Sequence, residues 1–191
     1  MLTITYQILF LGSPLLLVAI AQGLCIKYDW LSPLKKPLDL GLTVRGKRLF
    51  GDHKTWRGLT INIFFATLGA MVQSGLQGQG LFPAWLLLID YTRYGYLVGI
   101  LLGIGMTVGE LPNSFIKRQL EIPAGKSRKG ILGVIFFLYD QVDLTIGIWV
   151  FLFFLIRPST VMILWSLLLT LFLHMAVSSV GYLIGMRKTI F

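Results

Sequence analysis

Apolar residues gather into five long runs in this chain, and the polar stretches between them differ sharply in charge. The runs are Ile4–Ile26, Gly58–Leu76, Tyr94–Leu111, Tyr139–Ile156 and Val161–Gly185. Each is close to the ~20 residues that a helix rising 1.5 Å per residue needs to cross a bilayer core about 30 Å thick. The pattern therefore predicts five membrane-spanning helices, with two long polar loops at about 27–57 and 112–138. A further apolar stretch, Leu81–Tyr91, is too short to cross and meets Asp90 and Arg93, so it is assigned to an interfacial connector. The opening "MLTITYQ" carries no positive segment, so the first run is expected to be a retained span. The third run holds Gly95, Gly99 and Gly103 at steps of four, then Gly105 and Gly109. Small residues at that spacing let helix backbones approach closely, which puts this helix inside the bundle and leaves room for a homodimer.

Composition agrees with that class. The chain is 55% hydrophobic and 13% charged, with mean hydropathy +0.78, which excludes a water-soluble domain. Of its 17 Lys and Arg, eight lie in Lys27–Arg57, five in Pro112–Leu138 and two in the C-terminal tail. Only Arg93 and Arg157 fall on the other side. Positive residues stay cytoplasmic, so the N-terminus is expected outside and both long loops and the C-terminus inside. The expectation is a single-domain, all-α integral protein of the cell membrane. Its net charge of +9 reads as topology and phosphate recognition, with no nucleic-acid partner expected. Cys25 stands alone, so no disulfide is expected.

Two acidic residues break the fourth run. Asp140 and Asp143 stand three apart, on one face of a helix. A carboxylate near the centre of a span costs about 2.5–3.5 kcal/mol, so such residues usually serve a cavity, a partner or a metal. Mg²⁺ would relieve the repulsion between them, since it takes one or two carboxylates plus waters and phosphate oxygens. The plain alternative is pairing with Lys or Arg of the neighbouring loop. Where the third run passes into that loop, Glu110, Ser114 and Lys117 share a face with Asn113 beside them, provided that the helix continues through Pro112. An ordinary polar helix end is the competing account.

The first polar loop contains "RGKRLFGDHKTWRG". Glycines allow backbone N–H groups near phosphate oxygens, and Arg48, Lys54 and Arg57 supply charge. Gly46 and Gly51 have the interval of a nucleotide-binding P-loop, but Asp52-His53 follows where Lys-Ser/Thr should stand, so that fold is rejected. His53 reads as a solvated loop residue, and His174 in the last run as a packed or interhelical hydrogen-bonding group.

"GKRLFGDHKTWRG", "NSFIKR" and "YDQVD", in that order, closely resemble the CDP-archaeol synthases, membrane cytidylyltransferases of ether-lipid synthesis. More distantly, the serine-lysine-arginine segment and downstream aspartate pair resemble the CDP-diacylglycerol synthases. The likeness covers roughly Pro37 to Asp143, and departs from the family's PxDGG pattern at Pro37-Leu38-Asp39-Leu40-Gly41. It implies transfer of CMP from CTP to a lipid phosphate, with Mg²⁺ as cofactor and pyrophosphate released. Carried over residue by residue, it implies catalytic roles for Ser114, Lys117, Asp140 and Asp143. Arg48, Lys54, Thr55, Arg57, Asn113, Lys117 and Arg118 are then expected to bind CTP or the lipid phosphate. Asp140, Asp143 and Glu110 are expected to hold the metal. An acyl phosphatidate substrate is the near alternative, and a cation channel lined by the aspartates the distant one. A conduit would need polar groups along its whole depth, whereas these charges cluster at one end.

Overall fold

The computed structural model describes residues 1–123 and 130–183. Among the described residues there are six α-helices: α1 (Leu2–Gly12), α2 (Pro14–Lys27), α3 (Trp56–Gly78), α4 (Tyr91–Gln119), α5 (Ile131–Leu152) and α6 (Thr160–Leu183). Among the described residues, four stretches are long and apolar enough to cross a membrane: Leu2–Lys27, Trp56–Gly78, Ala84–Gln119 and Ile131–Leu152. A shorter apolar segment, Thr160–Ala176, lies within α6. Large apolar side chains such as Leu16, Phe64 and Phe154 cover the outside, as suits a surface solvated by hydrocarbon.

The first predicted span is broken in the middle. Pro14 has no N–H to give the carbonyl of Phe10, four residues back. The amide of Gln73 on α3 fills that place, donating to the Phe10 carbonyl and, at 3.0 Å, to Ser13 Oγ. A buried polar group in a bilayer must find partners inside the protein, and here the neighbouring helix adds one to the Ser13 N–H and Oγ, which also donate to the Phe10 carbonyl at 3.2 and 3.0 Å.

Glycines set the packing around α4, as their spacing predicts. A Cβ built on Gly99 would lie 2.3 Å from Thr67 Cα, and one on Gly103 2.4 Å from Ile63 Cα, so α3 and α4 touch backbone to backbone. On its other side α4 meets α5 the same way. A Cβ on Gly147 would lie 2.2 Å from the Gly105 carbonyl oxygen and 2.4 Å from Gly109 Cα. A polar thread crosses the bundle as well: Gln22 on α2 donates to Asn62 on α3, whose Nδ2 donates to Thr107 Oγ1 on α4 at 2.9 Å.

Several boundaries differ from the sequence-derived ones. The third span was expected to stop at Leu111, yet α4 continues through Pro112 to Gln119. The fourth was expected from Tyr139, yet α5 starts at Ile131. Proline removes only one backbone hydrogen bond from a helix, and polar contacts on both sides hold the last turns of α4 in place. The polar connection is therefore much shorter than the 112–138 loop expected. The connector after α3 holds a short 3₁₀ turn, Ala84–Leu86, packed on α1, where Gln7 Nε2 donates to the Trp85 carbonyl at 2.7 Å. Lys126, Arg128, Lys129, Arg187 and Lys188, which enter the charge count, lie outside the described residues.

Candidate active site

The loop between α2 and α3 is folded around one carboxylate. Asp39, only 2% exposed, accepts from Arg48 Nη2 at 2.7 Å, Phe50 N at 2.9 Å, Gly51 N at 3.0 Å and Gly41 N at 3.1 Å. Burial pushes its carboxyl up, but the Arg48 guanidinium and the three backbone donors outweigh it and hold Asp39 well below the usual carboxylate range. A two-residue ladder sits within this loop: β1 (Thr43–Val44) pairs with β2 (Lys47–Arg48) across Arg45-Gly46. Both turn residues have positive φ, 52° and 76°, the requirement of the tight turn that suits strand twist. The loop closes at its base, where Leu38 N donates to the Lys54 carbonyl at 2.7 Å and Trp56 N to the Lys36 carbonyl at 3.0 Å.

A depressed carboxyl stabilises the fold above its unfolded pKa, and that contribution fades as pH falls through the folded value. The melting-temperature deficit of Asp39→Asn relative to the unsubstituted protein should thus be largest near neutrality. It should narrow once pH drops below about 4, the ordinary aspartate range. A deficit independent of pH would assign Asp39 a purely steric role.

This loop docks on the end of α4. Lys47 Nζ donates to the Gln119 carbonyl at 2.7 Å and pairs with Glu121 at 3.0 Å. The Arg118 side chain lies against Gly51, where a Cβ would come within 3.3 Å of its Nε. Docking carries Lys54 to α4, where it pairs with Glu110.

One turn further along α4 the two aspartates of α5 come in. Asn113, 3% exposed, donates from Nδ2 to Asp140 and, at 2.9 Å, to Asp143 Oδ2. Lys117 Nζ pairs with Asp140, reaching Oδ2 at 2.6 Å. Asp143 is buried while Asp140 is partly open. Asn113 Oδ1 is buried and has no partner among the described residues. The glycine contacts explain the proximity: Gly109 sits so close to α5 that its Cβ would lie 2.5 Å from the Asp143 carbonyl oxygen. Among the described residues, no three His, Cys, Asp or Glu side chains form one ligand cluster.

A family model described as CarS-like, CDP-archaeol synthase, matches residues 5–191. The chain belongs to the CDP-archaeol synthase family. A CDP-archaeol synthase of Methanosphaerula palustris is 36% identical over 148 residues, covering 74% of this chain and 81% of the relative. One from Methanosarcina mazei is 31% identical over 170 residues, covering 80% and 89%. The solved structure of an intramembrane enzyme for archaeal membrane lipid biosynthesis superposes with TM-score 0.61 at 22% identity, covering 88% of this chain and 90% of that one. It shares the fold.

In this CDP-archaeol synthase family member the remaining expected residues are distributed unevenly. Lys54, Glu110, Asn113, Lys117, Asp140 and Asp143 converge through the contacts above. Ser114 is half-buried on α4 beside Asn113. Arg48 is engaged by Asp39 and by Asp52 at 2.8 Å, and Arg118 by the Ile122 carbonyl. Arg57 points to the far side of the loop, donating to Asp29 at 2.8 Å and to the Trp30 carbonyl. Thr55 caps α3, its Oγ1 accepting from Gly58 N at 3.2 Å. His53 is exposed. Asp39 is absent from the set that sequence reasoning selects. Its signal was present, because a lone aspartate three residues after Lys36 and two before Gly41 sits at the departure from the family pattern.

Proposed function

We propose that this protein is a membrane cytidylyltransferase that transfers CMP from CTP to an ether-lipid phosphate, giving CDP-archaeol and pyrophosphate. The observation that carries the reading is the convergence of Lys54, Asn113, Lys117, Asp140 and Asp143 at one end of the bundle in a member of this family. Charge pattern supports the orientation: five spans, counting α6, with the N-terminus outside and this end of the bundle facing the cytoplasm, where CTP is found.

The lipid phosphate is its own nucleophile. With a second pKa of about 6 it is largely a dianion near neutral pH, so no histidine base is needed. One of its oxygens forms a bond to the α-phosphorus of CTP, the α–β bridging bond breaks, and pyrophosphate leaves with the electron pair. The obstacle is repulsion between two polyanions. In the free protein Lys54 and Lys117 are each matched by a carboxylate, Glu110 and Asp140. An arriving triphosphate competes for both ammonium groups, and each lysine then neutralises phosphate where charge develops. Asp140, so released, makes with Asp143 and the unpartnered Asn113 Oδ1 a hard-oxygen donor set that fits Mg²⁺. Asp140, Asp143 and Asn113 would hold the cation, and it would supply charge neutralisation at the phosphates. Asn113 also fixes both aspartates in position before substrate arrives.

The test is direct. Purified protein, CTP and Mg²⁺ are incubated with an isoprenoid ether phosphate or an acyl phosphatidate, and pyrophosphate release is measured. Release with the ether lipid and much less with the acyl lipid is expected, and release with neither would remove the assignment. Lys117→Ala should lower kcat/KM by about 10²-fold, the usual effect of losing one preorganised charge partner. Lys117→Arg should recover part of it. Unchanged steady-state kinetics in Lys117→Ala would return Lys117 to a purely topological role.

A further inference from the structure

Beneath the carboxylates, the break between α1 and α2, together with α5 and α6, encloses a cavity of about 440 Å³. Pockets for small molecules span about 300–1,000 Å³, so this is space for a ligand rather than a packing defect. Leu144 and Ile148 of α5 line it. Asp140, Leu144 and Ile148 follow at steps of four, which places them along one stripe of the helix. The cavity therefore begins one turn, about 6 Å, below Asp140 and its partner Lys117.

Its walls favour hydrocarbon. The polar side chains on them are already matched: Thr145 Oγ1 lies 3.0 Å from Thr170 Oγ1, Trp149 Nε1 donates to Ser166 Oγ at 2.7 Å, and Ser13 Oγ accepts from Gln73. His174 on the same wall also has a partner. A cavity whose polar groups are satisfied stays dry and accepts apolar guests. Leu9, Leu16 and Leu173 on its rim are exposed at the depth of the spans, so the opening faces the acyl region of the bilayer.

The geometry points to this cavity as the seat of one hydrocarbon chain of the lipid phosphate, its phosphate held one turn away beside Lys117. The assignment rests on the cytidylyltransferase reading and adds to it how the lipid is oriented. A chain leaving the bilayer for the cavity gains nothing from the hydrophobic effect, because it was already out of water. What it gains is a fixed path. A chain threaded down the Asp140–Leu144–Ile148 stripe restricts the headgroup to a small range of positions, which is the contribution of orientation to a displacement reaction. The cavity thus acts on turnover of long-chain lipids more than on their capture.

Gly12 offers the test. It lines the cavity, and a Cβ built there meets no other atom within 4 Å, so a larger side chain enters open space. Gly12→Trp should lower kcat for a long isoprenoid ether phosphate by about tenfold or more. A methyl-ether analogue with the same headgroup, which has no chain to thread the cavity, should be turned over as by the unsubstituted protein, which also reports a folded enzyme. Gly12→Ala, too small to fill the space, should behave as the unsubstituted protein with both. Independently of activity, a lipid phosphate carrying a diazirine halfway along its chain should label the segments around Gly12 and Leu144–Ile148. Equal long-chain turnover by Gly12→Trp, or labelling confined to outer faces such as Phe64 and Phe154, would overturn the cavity assignment and leave the reaction standing. Failure of the unsubstituted protein to turn over any lipid phosphate would instead remove the reaction, and this assignment with it.

Discussion

Asp143→Asn is expected to lower CMP transfer by about 10³-fold while the purified protein keeps its helix content and its size in detergent. Asparagine has nearly the shape of aspartate, so the packing of α5 against Asn113 survives, and only the charge is lost. That charge is expensive where it stands: Asp143 is buried within a membrane-spanning helix, and its only side-chain partner among the described contacts is the neutral Asn113. Removing it should leave thermal stability unchanged or raise it. A group kept at a cost to stability and needed for turnover belongs to the chemistry. Asp140→Asn should be as inactive, but it also strands Lys117, so its stability should fall. Kinetics and melting measured together separate the two. Near-normal turnover in Asp143→Asn, or a large loss of stability, would reassign this carboxylate to the scaffold.

The second large effect comes from a residue with no functional group. Gly147→Ala should reduce transfer by about 10²-fold or more and lower the melting temperature, whereas Gly75→Ala should do neither. A methyl at Gly147 would be driven to 2.2 Å from the Gly105 carbonyl oxygen and 2.4 Å from Gly109 Cα, and both neighbours are backbone. Neither can rotate away, so the helices must separate by about 1 Å, and overpacking of this kind costs about 1–3 kcal/mol. The same separation draws Asn113 and Lys117 away from Asp140 and Asp143, and a misplacement of about 1 Å can cost 10²-fold in rate. At Gly75 a methyl meets nothing within 4 Å. Equal activity of the two alanine variants would mean that the α4–α5 seam does not set the site.

Much of this was legible in the chain because it depends on short-range spacing. The glycines of α4 repeat at a helical interval, and they do bring α3 and α5 into backbone contact. The two aspartates stand out because carboxylates are rare in apolar runs. What depends on distant partners was not legible. Arg48 and Arg57 look like equivalent loop cations, and nothing local says that Asp39 and Asp29 engage them. Nor does any local signal show that α4 passes through Pro112. The helix persists because Asn113 and Lys117 beyond it are held by α5, and Gln119 by Lys47. Gln73 looks like a stray polar residue in a span until Pro14 is seen to remove a donor from the Phe10 carbonyl across the interface.

Position along the chain gives α4 a place in time as well. Its N-terminal glycines face α3, which is synthesised just before it, and Gly105 and Gly109 face α5, which is synthesised after it. A ribosome feeding this polypeptide into a bilayer delivers the α3–α4 hairpin while the aspartates are still untranslated, and neighbouring segments pair early. Lys54 and Glu110 can then meet in the nascent chain, leaving a docking groove of small residues for the next helix. Catalytic competence would therefore arrive in a single late event, the lateral entry of α5.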